Sequence, residues 1–312
     1  FFFLLDFLMA SSFLFCYKIH MLPITIRKRT ITANELRFIK EIVNKNWDKG
    51  RTNISKVLCK EWNWRQPNGS LKDMACRELL LRLKRRDLLE LPPSKSSRRI
   101  IRRKPIEKPS VDESPISGRI DQLPPISIQM VRWTRHEPLW NSLVHYHHYQ
   151  SYSSTVGQHL KYIVWIDKNA VACLGWGSAS WSVKSRDLFI GWNKSTKEKN
   201  LHLVINNTRF LILPWVSVKH LASKILALNA KKIFADWLSI YKHPVYLLET
   251  FIEKDRFRGT CYKAANWIHV GQTKGTSKKG NNHLFHGNIK DVYLYPLRKD
   301  FRLVLNSFQY QN

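Results

Sequence analysis

The stretch Leu247–Gly275, LLETFIEKDRFRGTCYKAANWIHVGQTKG, restricts the fold more than any other part of the chain. Its apolar run Val245–Ile252, after the His243-Pro244 break, predicts a buried strand ending in a carboxylate, Glu249. Phe257–Trp267 reads as a short helix of small and aromatic residues, close-packed against a sheet. Ile268–Val270 reads as a second strand, and Gly271 and Gly275 open a turn around Thr273 and Lys274. Strand, helix, strand and glycine turn make a βαβ-like unit, in which ligands sit at the carboxyl ends of the strands. Glu249, Arg258, Tyr262, Asn266 and Trp267 are the pocket candidates there, with Asn206, Asn207 and Arg209 opposite them. A buried carboxylate needs a partner, so Glu249 is expected to meet Arg258, Arg209 or a ligand donor. A flat ligand could stack on Trp267 or Tyr262 while the arginines take its phosphates. The other reading is a packed core helix with a wet rim, in which Asn266 and Glu249 only tie strand to helix.

Charge narrows the partners. Lys and Arg number 52 against 23 Asp and Glu, a net +29 in 312 residues. That excess favours a polyanion, DNA, RNA or an anionic membrane surface, over acidic protein substrates; DNA or RNA is the expected partner and a membrane is not. The five cysteines, Cys16, Cys59, Cys76, Cys173 and Cys261, are scattered without a C-x-x-C pair, which fits reduced thiols in a cytoplasmic protein.

The run Phe1–Cys16 is apolar, too short to span a bilayer, and interrupted by Asp6. Residues 1–20 are read as upstream sequence ahead of a natural start at Met21, with a membrane anchor as the other reading. Residues 21–91 are expected to form a nucleic-acid-binding module. Thr32 and Glu35 make a capping box for a first helix, Arg51–Trp62 follows as a second, and Asn68-Gly69 turns into a third. That third helix, Leu71–Asp87 with Ser70 as cap, turns Met74, Leu79, Leu80 and Leu83 inward. It carries Lys72, Arg77, Arg82, Lys84, Arg85 and Arg86 for phosphate contacts. A strand at Leu88–Leu91 would make the module a winged helix-turn-helix; a three-helix bundle with a solvated charged face is the plainer reading. Residues 21–110 hold 24 Lys and Arg against 9 Asp and Glu, a net +15. Residues 92–127 read as a Pro-rich, poorly ordered linker, whose Arg98, Arg99, Arg102 and Arg103 either clamp a phosphate backbone or are merely solvated.

A second domain is expected over 128–303. Glu137–Tyr149 reads as a helix delivering His145, Tyr146, His147 and His148, an aromatic cluster rather than a metal site, for want of a carboxylate or cysteine partner. Lys161–Ile166 and Ala170–Gly175 make a hairpin around Asp167. Strands follow at Leu201–Ile205 and Arg209–Leu213, then a helix at Val218–Leu228. No P-loop, H-E-x-x-H, G-x-S-x-G or zinc spacing occurs, and no residues single out a cofactor or metal.

Three blocks, NNTRFLILPWVSVKHLAS (Asn206–Ser223), LLETFIEKDRFRGTCYKAANW (Leu247–Trp267) and KDVYLYPL (Lys290–Leu297), resemble the Druantia anti-phage protein DruA family, also found near transposable elements. The likeness runs from about Met21 to Phe301. The order of elements is similar to the GNAT acyltransferase fold, so the chain is expected to be α+β: a helical (winged) module, then a GNAT-like mixed α/β domain. In that fold, backbone amides at a helix N-terminus bind a pyrophosphate. The corresponding loop, Trp215–Leu221, lacks the glycines of the GNAT pattern and continues as Lys219-His220-Leu221-Ala222, which puts acyl-CoA binding in doubt. The resemblance implies phage defence or mobile DNA and carries over no catalytic residues. Together with the charge and the basic N-terminal module, it leads to the expectation of a defence or mobile-element component that binds DNA or RNA through that module, with other defence or transposition proteins as candidate partners. The alternative is a GNAT-like transferase acting on a nucleotide, tRNA or protein amine.

Overall fold

A computed structural model describes residues 23–26, 29–94, 105–279, 282–285 and 287–307. Residues 1–20 and Arg98, Arg99, Arg102 and Arg103 lie outside the described residues. The chain divides into two compact units that part between Arg103 and Lys104.

The first unit opens with an antiparallel hairpin, β1 (Ile24–Ile26) and β2 (Arg29–Ile31). Three helices follow: α1 (Ala33–Lys45), α2 (Arg51–Glu61) and α3 (Asp73–Lys84). The capping box of α1 is formed: Glu35 N–H donates to Thr32 Oγ1 and Thr32 N–H donates to the Glu35 carboxylate, both at 3.3 Å. Leu36, Ile39 and Val43 bury one stripe of α1 against Ile54, Leu58, Leu79, Leu80 and Leu83. Two expectations need correction. Helix α3 starts at Asp73 without a side-chain cap, so Ser70 is not its cap, and Met74 is 68% exposed; Cys76 takes the inward position instead. No strand forms at Leu88–Leu91; Leu88, Leu89 and Leu91 close the core as irregular chain, and the hairpin of this unit precedes its helices.

The second unit is built on a seven-stranded sheet. Its strands are β4 (Ile126–Met130), β5 (His159–Ile166), β6 (Asn169–Ser178), β7 (Val204–Ile212), β9 (Leu247–Glu253), β10 (Ile268–Gln272) and β13 (Lys290–Pro296). They lie in the order β10-β13-β9-β7-β6-β5-β4, antiparallel throughout except for the parallel neighbours β7 and β9. This order, with a long helix α7 (Leu221–Tyr241) between the parallel pair, is the topology that the GNAT-like resemblance implies. Around the sheet lie β3 (Ile116–Gly118), α4 (Glu137–His147), α5 (Lys184–Ile190), α6 (Lys194–Asn200), β8 (Val216–Val218), α8 (Thr260–Ala264), the hairpin β11 (Thr276–Lys279) and β12 (Asn282–Phe285), and α9 (Phe301–Ser307).

Three departures from expectation have physical causes. Helix α7 runs on to Tyr241 because Leu226, Ala230, Ile233 and Trp237 continue its buried stripe. Helix α8 has five residues rather than the eleven expected, because Gly259 (φ 67°) and Asn266 (φ 63°) hold left-handed backbone at its two ends. Residues 105–125, read as part of a tether, are packed on this unit: β3 pairs in parallel with β8, and Ile116, Ile120 and Leu123 rest on the core. Among the described residues, no helix is long and apolar enough to cross a membrane.

Candidate functional site

The parallel ladder between β7 and β9 runs from Val204 opposite Leu247 to Asn207 opposite Thr250 and stops there. Beyond that point β7 continues to Ile212 beside β6 and β9 to Glu253 beside β13 without pairing with each other, and a cavity of about 430 Å³ occupies the space between them. The cause lies in β7. Opposite Gly175 and Trp176 of β6 stand Arg209 and Asn207, so Thr208 is an extra residue, a bulge that bends the strand. Gly175 is needed there, because a Cβ would lie 3.0 Å from Trp140 Cζ2 and 3.2 Å from Arg209 Cβ.

Asn207 fastens the bulge. Its Nδ2 donates to the carbonyls of Gly175 and Arg209, both at 3.1 Å, and its Oδ1 accepts the Tyr262 hydroxyl at 2.7 Å. Thr250 Oγ1 donates to the Asn207 carbonyl at 3.3 Å. Burial pushes the Tyr262 phenol above its ordinary pKa, so it stays protonated and donating. Gly259, ahead of α8, lets that helix sit close to the sheet: a Cβ there would come within 2.9 Å of Tyr293 Oη.

The walls come from β7, β9, α8, the first turn of α7 at Ala222, and the end of α4 at His147 with the chain that follows it to Ser151, of which His148, Tyr149 and Gln150 line the cleft. Arg209 is anchored to that segment: Nε donates to Ser151 O (3.2 Å) and Nη1 to Gln150 Oε1 (3.0 Å). Arg258 is exposed and shows no ion pair or hydrogen bond among the described residues. His148 Nδ1 accepts the Gln150 N–H at 3.1 Å; burial, and then the charge of Arg209, push its imidazole down to about 4, so it is neutral at pH 7. At the rim Tyr149, 39% exposed, and Phe257, 45% exposed, meet at 5.2 Å, and the Arg256 guanidinium lies 4.7 Å from the Tyr149 ring. No Asp or Glu is among the lining residues. Glu253 lies at the edge, its carboxylate 3.4 Å from Gln150 Nε2 and 3.7 Å from Arg256 Nε. A cleft walled by arginines and aromatic rings suits an anionic ligand with a flat or apolar part.

Of the residues singled out from sequence, the cleft gathers Asn207, Arg209, Arg258 and Tyr262. The other four lie elsewhere. Glu249 is fully buried and its partner is neither Arg209 nor Arg258: it accepts from Arg186 Nη1 and from Ser180 N–H, both at 2.8 Å. Arg186, itself fully buried, also grips Asp187, which takes Lys197 Nζ at 2.8 Å and Trp192 Nε1 at 3.0 Å. The network ties α5 and α6 to β9. Trp267 is buried between Trp176 and Tyr295, with no face for a ligand. Asn266 is exposed and occupies the left-handed position after α8. Asn206 sits opposite Glu249 in the ladder, its Oδ1 buried without a partner among the described residues. Sequence reasoning left out Tyr149, Gln150, Thr208 and Phe257, which reach the cleft from a loop, a bulge and a turn. From sequence, His148 stands out only as part of an aromatic cluster. Among the described residues, no group of three or more His, Cys, Asp or Glu could hold a metal ion.

A family model described as Druantia protein DruA matches residues 82–287, well over half of the chain. No curated protein matches it. Solved structures similar to it include an aminoglycoside acetyltransferase, AAC(6')-Ib, in complex with coenzyme A (12% identity, TM-score 0.38, 55% of this chain and 95% of that one). An N-acetyltransferase from Staphylococcus aureus Mu50 is similar at 13% identity and TM-score 0.35, over 56% of this chain and 99% of that one. The ribosomal-protein-S18-alanine N-acetyltransferase from Escherichia coli is similar at 7% identity and TM-score 0.34, over 60% and 99%. The strand order, rather than these distant likenesses, identifies the sheet.

Proposed function

Because the chain belongs to the Druantia DruA family, we propose that it acts as a nucleic-acid-binding component of an anti-phage defence or mobile-element system. The uncompensated cation excess carries this reading: pairing every one of 23 acids with one base still leaves 29 cations. Helix α3 illustrates the excess. Arg77, Arg82 and Lys84 pair with Asp73, Glu78 and Glu90, whereas Lys72, Arg85 and Arg86, which flank the helix rather than lie in it, have no ion pair among the described residues. Surface pairs of this kind contribute about 0–1 kcal/mol and yield readily to phosphate. In this reading α2 and α3 work as a helix-turn-helix with α3 against the duplex, and Arg209 and Arg258 give the cleft a place for an anionic nucleotide unit. The test is duplex binding by the full chain across a salt series. Changing Arg82, Arg85 and Arg86 to Ala is expected to lower the slope of log affinity against log salt by up to about three. An unchanged slope, or no binding at low salt, overturns the reading.

One observation favours a second reading, a transferase acting on a nucleotide, tRNA or protein amine. The parting of the parallel strands after Asn207 and Thr250 opens the edge of β7 that faces β9 beside a cavity, as an extended acyl carrier would require. Against it, the turn before α7 holds Lys219 and a left-handed His220 (φ 63°) instead of glycines. Calorimetric binding of acetyl-CoA that fails on Asn207→Ala would support this reading.

A further inference from the structure

The loop that joins β4 to α4 reads Val131-Arg132-Trp133-Thr134-Arg135-His136. Trp133 is 66% exposed, yet it holds a left-handed backbone at φ 62°. Of the eight described non-glycine residues with positive φ, four are Asn or Asp, which tolerate that region, and Trp133 is the only large aromatic one. An exposed ring gains nothing from the core, so the unfavourable backbone there has no packing reason. The position is firmly held all the same. Trp133 N–H donates to Glu137 Oε2 at 2.7 Å, and Glu137 Oε1 accepts the buried Lys161 Nζ at 2.7 Å. The Arg132 guanidinium lies 4.0 Å from the Trp133 ring centroid and is itself fixed by hydrogen bonds to His159 O and the Tyr241 hydroxyl. Arg135 is exposed two residues on, and His136 packs on Trp165 at 5.6 Å. Backbone strain kept in place by surrounding bonds is a mark of functional positions.

We propose that Trp133, backed by Arg132 and flanked by Arg135, is a base-stacking site for single-stranded nucleic acid. A preset aromatic face beside cations is what an unpaired base and its phosphate need; duplex bases, already stacked on one another, gain nothing from it. The site stands at the opposite end of α4 from the cleft, about 16 Å along the helix. The proposal rests on the nucleic-acid reading above and adds to it a strand form and a side chain.

The test measures binding of a labelled oligothymidylate and of a labelled duplex to the full chain by fluorescence anisotropy. Trp133→Ala is expected to weaken the single strand about 5- to 100-fold and to leave the duplex within about twofold, and Trp133→Phe is expected to keep most of the single-strand affinity. Thermal melting checks that Trp133→Ala remains folded. Undiminished single-strand binding by Trp133→Ala overturns the proposal, as does an equal loss for both strand forms, or a parent chain that binds duplex only. A parent that binds neither overturns the nucleic-acid reading as well. Loss on Trp133→Ala alongside an unchanged salt slope in the α3 variant would instead keep this site and reject the role given to α3.

Discussion

Replacing Arg186 with leucine is expected to unfold the second unit early without removing a ligand contact. The change strips Glu249 of one of its two donors, leaving only Ser180 N–H for a fully buried carboxylate, and it orphans Ser180 O, which accepts Arg186 Nη1 at 2.7 Å. Asp187 keeps Lys197 and Trp192, so the damage centres on Glu249. Full burial pushes the Glu249 carboxyl up, and the Arg186 guanidinium acts in the other direction; without it the buried charge stands alone. Breaking one side of such a pair costs about 3–5 kcal/mol. At about 2–4 °C per kcal/mol for a unit of this size, the melting temperature should fall by about 6–20 °C. The double change Arg186→Leu, Glu249→Leu removes both charges and should recover most of that loss. Thermal melting of the three proteins, with nucleic-acid affinity measured well below each transition, separates the possibilities. If Arg186→Leu melts within about 2 °C of the parent and yet loses affinity, the network serves a ligand and the scaffold argument fails.

Tyr262→Phe leaves Asn207 Oδ1 buried and unpartnered, and is expected to destabilise by about 1–3 kcal/mol, with faster amide exchange at Thr208–Phe210 as the bulge loosens; unchanged exchange there would refute the role given to Asn207. Stability should fall by about 1–3 kcal/mol for each of His148 and His202 as pH drops from about 6.5 toward 4, because burial holds both imidazoles down to about 4 in the fold and they take a proton only on unfolding; urea midpoints at pH 7 and pH 5 read this, and His148→Gln should make the dependence shallower, leaving the part that His202 contributes. Gly259→Ala adds a Cβ 2.9 Å from Tyr293 Oη at a positive φ, so a melting temperature equal to the parent's would contradict the packing described for α8.

Much of the second unit was legible because its signals are local. The runs Lys161–Ile166 and Ala170–Gly175 turn on Asp167, which holds the left-handed backbone (φ 57°) that Asn and Asp favour. The parallel step could be read from a strand, a helix and a strand in succession. Glu249 was recognisable as a buried carboxylate in need of a cation, but the cation lies 63 residues earlier, on a seven-residue helix that no periodicity announces. Gly259 and Asn266 were in plain view as breakers of α8, and the apolar helical pattern outweighed them. Met74 was placed inward by the same periodicity, whereas Asp73 as the first helical residue turns Cys76 inward. The cleft was half legible: arginine and tyrosine on β7 and α8 suggested it, but a bulge is a matter of register, and register is not written in residue types.

The short ladder of Ile116–Gly118 on Val216–Val218 bears on how this chain can be dissected. A fragment cut at residue 128 would look complete by composition but would lack the segment that covers Val216 and the Trp215 turn. It would also lose the Glu107 and Ile106 carbonyls that accept the Ser142 and Tyr146 hydroxyls of α4. Exposed strand backbone and uncovered apolar side chains are the usual route to self-association. Trimming the chain at the apparent end of its proline-rich stretch is therefore expected to give inclusion bodies, whereas a cut before Ile106 should give a soluble, protease-resistant piece.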